Sequence, residues 1–360
     1  MTKGEAASQA ANVAAKTAIS ISEGFSALLS KLGISLAFTS YQTGQLILVG
    51  CLPGGQISLN QQNFDHAMGL AWQGRRLYLA TQTQIWRFED LLNPGETGNT
   101  VHDAILVPRS AHTTGDLDVH EIGISQDGAP LLVATRFNCL AALDSRFSFS
   151  PIWKPPFVSE ISKGDRCHLN GLAMQNGVPH LVTVIGESSV VDGWKSGRRA
   201  GGQLLSVPDG KVVARDLSMP HSPRIANDIY YLLESGRGFL VHVNPQTGKK
   251  TDVTFCPGFA RGLAIHGDHA FVTLSKPRDD QFSGLPLDDE LTARHEQARC
   301  GVMVIDLRSG TLLEWMYFDG RIRELFDIAV LPGVRCPTAL GPGTEEIRSN
   351  IRVGSWKNLT

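Results

Sequence analysis

The stretch Asp165–Glu187, DRCHLNGLAMQNGVPHLVTVIGE, decides the fold. It opens on a polar cluster, enters a short apolar strand pattern, turns at a Gly, and leaves through a second apolar strand that ends at Glu187. Short apolar runs bounded by Asn and Gly read as a β-hairpin. One hairpin cannot bury its own apolar face, so it needs neighbours.

The neighbours are in the same chain. HAMGLAWQG begins at His66, HEIGISQDGAPLLVATRF at His120, HSPRIANDIYYLLE at His221, FARGLAIHGDHAFVTLS at Phe259 and ELFDIAVLPGVR at Glu324. Aligned on their starts, the units place His66, His120, His168 and His221 at one position, followed by Phe259 and Glu324. Gly stands three residues on in most of them, with Arg224 and Asp327 taking its place in the fourth and sixth. Uneven repeats of short strands, joined by turns such as QDG, PDG, RSG and PQTG, predict propeller blades.

Six starts predict an all-β, six-bladed β-propeller. The sixth unit lacks outer strands, and SLAFTS, QLILVG and QISLN near residues 34–59 would complete it and hide the sheet edges. Residues 34–360 then form one propeller domain. Residues 1–33 read as a tail, loose over its first twenty residues, plus a short helix at 21–33. Ser22 would cap that helix, and Phe25, Leu28, Leu29 and Leu32 form its apolar stripe. The stretches 91–116 and 144–166 read as crossing loops between blades. Insertions at 188–200 and 276–299 interrupt blades three and five and read as rims or lids over a pocket.

Bulk properties exclude some functions. The chain has 360 residues and a formal net charge of -2, so no broad attraction to nucleic acid or anionic membrane follows. No apolar run is long enough for a membrane helix. Six scattered cysteines without a C-x-x-C pair suit reduced, buried thiols in a cytoplasmic protein. No phosphate-binding loop, zinc-peptidase motif or nucleophile elbow occurs.

Chemistry is expected where blade starts meet near the axis. His66, His120, His168 and His221, with Glu324, would hold a divalent metal such as iron, zinc, manganese or calcium, or contact a metal-free ligand, or form a structural network. Glu187 and Glu234 end second strands and are candidate general bases, with ion pairing to Arg136, Arg224 or Arg261 as the structural reading. Arg136, Asn170, Arg224 and Arg261 are the candidate substrate contacts, the arginines for a carboxylate or phosphate. Cys167 precedes His168 and points to the opposite face, which suits packing.

Six fragments carry a resemblance: CHLNGLA, GGQLLSVPDG, LSMPHSPR, YLLESGRG, PGFARGLA and ELFDIAVLPGVR. Together they closely resemble the bacterial DUF4915 family over residues 35–336, which implies one continuous propeller and little about chemistry. A more distant likeness is to gluconolactonase and regucalcin-like six-bladed propellers. It implies a divalent cation held by acidic and Asn residues for lactone hydrolysis. Asn170-Gly171-Leu172 looks like their Asn motif, and Glu324 would suit an acidic ligand. The matched histidines depart from that pattern. Carotenoid-cleaving oxygenases, which centre four histidines on iron, offer a chemical analogy only.

The expected function is therefore a metal-dependent, hydrolytic enzyme for a small polar metabolite. The alternatives are a non-catalytic propeller that binds a small molecule, a protein partner or a second copy of itself, and a His-ligated iron oxygenase.

Overall fold

Four-residue to eight-residue runs rich in Val, Ile, Leu and aromatic residues, punctuated by Gly, Asn and Asp turns, give almost entirely antiparallel strands. In the computed structural model, which describes residues 17–93, 95–277 and 284–354, these strands form six sheets around one axis. The innermost strands are Leu70–Gln73, Val119–Ile124, Leu169–Gln175, Pro220–Ala226, Phe259–His266 and Ile328–Pro332, which number blades 1 to 6.

Blade 6 is made from both ends of the chain. Its inner strand Ile328–Pro332 pairs antiparallel with Ile34–Ser40, and Gln45–Cys51 and Ile57–Asn63 follow outward. Ile34–Ser40 is buried along its whole length because it has a sheet neighbour on each side and a blade on each face. Apolar clusters lie between adjacent blades, so each sheet is covered on both faces.

Several local expectations change. The stretch 91–116 contains the strand Ala104–Thr113, the fourth strand of blade 1. Likewise 144–166 contains Ser150–Trp153, the outer strand of blade 2. Trp153 and Phe157 pack on the core between blades 2 and 3, and Trp153 Nε1 donates to Pro208 O at 2.9 Å. Residues 18–21 are no loose tail, because Ala18–Ile21 adds an antiparallel edge strand to blade 5. The first sixteen residues lie outside the described ones. The helix is Phe25–Leu32, with Phe25 and Leu29 buried between blades 5 and 6. Ser22 does not cap it; its hydroxyl is held by Glu314 and by the backbone of Trp315.

The blade alignment also changes. Val119, Leu169, Pro220 and Ala260 pair with Ala134, Val184, Glu234 and Leu274, each the last or next-to-last residue of its second strand. A hydroxyl at the end of three second strands confirms this register: Thr135 donates to Leu169 O, Ser235 to Ala260 O and Ser275 to Leu325 O of the next blade. His120 and His221 are therefore equivalent to Asn170, Arg261 and Phe326. They sit two positions further along than His66 and His168. A two-residue slip leaves every side chain on the same strand face, so hydrophobic alternation could not reveal it.

Candidate functional site

In the corrected register, Met68, His120, Asn170, His221, Arg261 and Phe326 form a ring, one from each blade. Next along the chain come Gly69, Glu121, Gly171, Ser222, Gly262 and Asp327. Strand pairing shifts register at this level in blades 2 to 5. Such bulges re-aim side chains, which lets successive residues such as His120 and Glu121 both approach the axis.

The ring floors a cavity of about 510 Å³ at the starts of the inner strands. Its walls carry Asp118, Asp165, His168 and Tyr41, together with Asp192, Trp194, Lys195 and Arg198 from the 188–200 insertion. That insertion folds as a short 3-10 turn, Gly193–Gly197, and so forms the expected rim. The second insertion yields the helix Pro286–Ala293, preceded by residues 278–283 outside the described ones. Leu285 and Leu287 pack with Met219 and Phe259 behind the cavity.

The imidazoles of His120 and His221 are set alike. His120 Nδ1 lies 3.0 Å from Asp118 O and 2.9 Å from Thr135 Oγ1. His221 Nδ1 lies 2.9 Å from Met219 O and 2.9 Å from Ser235 Oγ. A carbonyl only accepts, and each hydroxyl gives its proton to the next blade's carbonyl. The arrangement is satisfied when Nδ1 carries the hydrogen, which leaves Nε2 as the bare acceptor of a ring lining the cavity. Burial, opposed by Asp118 and reinforced by His168 and Arg261, holds His120 down at about 4. Burial and the Arg261 charge push His221 well below the usual imidazole range. Both are neutral near pH 7.

His168 stands above the ring, its Nδ1 2.6 Å from Asp165 Oδ2. It meets His120 edge-on at 4.9 Å and lies over Trp194 at 4.4 Å between ring centres. Across the ring, the Arg261 guanidinium lies 4.8 Å from the Phe326 ring centre and 5.3 Å from that of Phe259.

Beneath the ring, Glu121 pairs with Arg224, which also lies 4.0 Å from Asp327. Glu121 Oε2 accepts the Leu172 N–H, and Asp327 accepts those of Leu70 and Ile328. Burial, opposed by Arg224, pushes Glu121 up to about 7 and Asp327 up to about 6. This cluster separates the cavity from a second funnel of about 660 Å³ at the other end of the axis.

The sequence candidates thus divide. His120, His168, His221 and Arg261 meet in the cavity, with Asn170 just below its floor. Arg224 lies at the base of the opposite funnel. His66 points to Asp65 and packs edge-on against Tyr41. Glu324 is buried outside the cavity wall. Glu187 is exposed and accepts from Gln203. Glu234 is fully buried, and its partners are Arg237, Lys250 and the Ser218 N–H rather than Arg136, Arg224 or Arg261. Arg136 pairs with Asp116. Cys167 is buried in the core between blades 2 and 3, its thiol pushed up by burial.

Sequence reading missed Asp118, Asp165, Trp194 and Tyr41. Asp165 carried a signal, lying three residues before His168 in a turn. The others reach the cavity from loops that no repeat pattern marks.

Among the described residues, no three His, Cys, Asp or Glu side chains are grouped to hold a metal ion. His66 and Glu324, needed for the expected set, are not among the residues that line the cavity. The five residues expected to share a metal are therefore not all gathered at the cavity.

The comparisons agree with the architecture. The model of DUF4915, a domain of unknown function, matches residues 23–340. No curated protein matches the chain. A chain of a solved nidogen/laminin complex is similar in fold, with TM-score 0.51 and 12% identity over 83% of this chain and 99% of that one. At that identity the likeness concerns the fold alone.

Proposed function

The chain belongs to the DUF4915 family, a domain of unknown function, and on that premise we propose that its axial cavity binds and transforms a small polar metabolite. The observation that carries this reading is the cavity's chemistry. Two buried imidazoles, held neutral with Nε2 bare, share a ligand-sized space with a buttressed His168–Asp165 pair and an arginine. A volume of about 510 Å³ suits a small ligand.

His168 is the candidate general base. Asp165 accepts its Nδ1–H, fixes the ring and stabilises the imidazolium formed when Nε2 takes a proton. All six cysteines are buried, so the reaction that fits is proton abstraction from the ligand or from an attacking water, not thiol attack. Trp194 and Tyr41 supply aromatic walls.

The test is a thermal-shift screen of small polar metabolites in the presence of a chelator, followed by turnover assays on the hits. At least one hit should stabilise the native protein and fail to stabilise Trp194→Ala. His168→Ala should lower turnover by roughly 10²–10⁴-fold. Turnover untouched in His168→Ala removes the base assignment. The absence of any hit that depends on Trp194 removes the cavity reading.

A further inference from the structure

Around the floor of the cavity, blades 2, 3 and 4 present in turn an acceptor, a donor and an acceptor. His120 and His221 offer Nε2, because Nδ1 of each carries the hydrogen. Between them, Asn170 is oriented by Thr183, whose hydroxyl donates to Oδ1 at 2.7 Å. The Nδ2 of Asn170 has no partner, on a residue only 3% exposed. A buried donor left unsatisfied is costly, so a native protein that keeps one here has an oxygen to offer it.

A void of about 10 Å³ lies among these three side chains, Ser222, Arg261 and Asp327. That is room for about one oxygen atom. The oxygens already beside it are engaged elsewhere: Asp327 accepts the N–H groups of Leu70 and Ile328, and Ser222 donates to Arg261 O. The cavity wall adds a further acceptor. The Asp118 carboxylate lies 3.7 Å from His120 Nδ1 and accepts no hydrogen bond among the described residues. The groups here that want a partner are thus His120 Nε2, His221 Nε2 and Asp118, all acceptors, and one uncharged donor, Asn170 Nδ2.

We infer that the ligand of this cavity is an uncharged vicinal diol. The inference rests on the cavity reading above and specifies its ligand class. One hydroxyl oxygen enters the void and accepts from Asn170 Nδ2, while its hydrogen goes to one of the two imidazole Nε2 atoms. The second hydroxyl stands over the ring and donates to the other imidazole or to Asp118. A hydroxyl is the group that accepts and donates at once, which is what an acceptor, a donor and an acceptor in sequence require. A carboxylate brings no hydrogen for the imidazoles and would face Asp118 and Asp327. An ammonium brings no lone pair for Asn170. The carbon skeleton of the diol rests against the aromatic walls of Trp194 and Tyr41.

The experiment is a titration of the full chain, followed by ligand NMR, with probes that share one ring: cis-cyclohexane-1,2-diol, cyclohexanol, cis-2-hydroxycyclohexanecarboxylate and the ammonium form of cis-2-aminocyclohexanol. The native protein should bind the diol at least about tenfold more tightly than each of the others, one well-placed hydrogen bond being enough for that. The titrations are repeated on Asn170→Leu, which removes the donor, and on His221→Phe, which removes an acceptor, with thermal melts to verify folding. In each folded variant the advantage of the diol over cyclohexanol should shrink to about threefold or less. Should neither variant fold, the comparison on the native protein decides alone. A diol no tighter than cyclohexanol, or a carboxylate or ammonium that matches it, overturns the diol assignment and leaves the cavity reading to its own Trp194 test. A diol advantage undiminished in folded Asn170→Leu means the void holds a water only, and overturns the inference. If no probe binds while a metabolite from the screen does, the class is wrong and the cavity reading stands. If neither binds, the cavity reading and the inference fall together.

Discussion

At the scale of the residue, the axis is governed by burial acting in opposite directions on bases and acids. It keeps His120 and His221 neutral, and it makes Glu121 hold its proton up to about pH 7. The folded-state value of Glu121 stands above its ordinary 4.5. Between those two values the unfolded chain releases a proton that the folded chain keeps, so this group's contribution to stability falls as pH rises and then levels off. Glu121→Gln removes that term. The melting temperature of the variant minus that of the native protein should rise from pH 4.5 to 7 and stay flat above. Calorimetry across that range checks it, and a constant difference would contradict the assigned shift. The composition of this layer was partly legible. Asp327 and the glycines of the GLA units were visible as repeat positions, whereas the partnership of Glu121 with Arg224 needed two blades to be brought together.

At the scale of the element, the unit start is shaped by close approach. Gly69, Gly171 and Gly262 alternate around the axis with Glu121, Ser222 and Asp327. A Cβ on Gly171 would stand 2.3 Å from Thr183 Oγ1 and 2.4 Å from Pro223 Cδ, on the next blade. The neighbouring inner strand has no room to withdraw. Gly171→Ala should therefore destabilise the protein by about 1–3 kcal/mol, the usual cost of overpacking, in urea-induced unfolding. The 188–200 insertion shows the other side of element-level reading. Its position after an inner hairpin marked it as a rim, and that is where it lies. Its sequence did not mark Trp194 as the side chain that would cover His168, since a 3-10 turn of Gly, Ser and Lys leaves no periodic signature.

At the scale of the whole molecule, closure is the main constraint. Ile328–Pro332 from one end of the chain and Ile34–Ser40 from the other share one sheet, and Thr39 ties both to blade 1 by donating to Met68 O and accepting the Asp327 N–H. Truncation after Asp327 removes the inner strand of blade 6 and uncovers the buried edge of Ile34–Ser40. The chain should lose its cooperative melt and aggregate, as an unpaired apolar edge does. Truncation after Ala339 leaves every blade strand in place and should melt within a few degrees of the full chain. Circular dichroism melts and size-exclusion profiles separate the two outcomes.

The sequence by itself determined the blade. Strand alternation, turn residues and the missing outer strands of the last unit are local properties, and they sufficed for six blades and for joining the termini. It also pointed to histidines at the axis. Only the tertiary structure decided which histidines meet. A two-residue slip keeps strand alternation intact, so His66 and His168 could be aligned with His120 and His221 although they occupy another level. Hydrogen bonds between blades broke that degeneracy: the hydroxyls of Thr135, Ser235 and Ser275 each reach the carbonyl of the next blade at one register only. The same inter-blade bonds fix the imidazole tautomers, whereas Asn170 is oriented by Thr183 within its own blade. The ring that floors the cavity is therefore assembled from residues that no single blade contains.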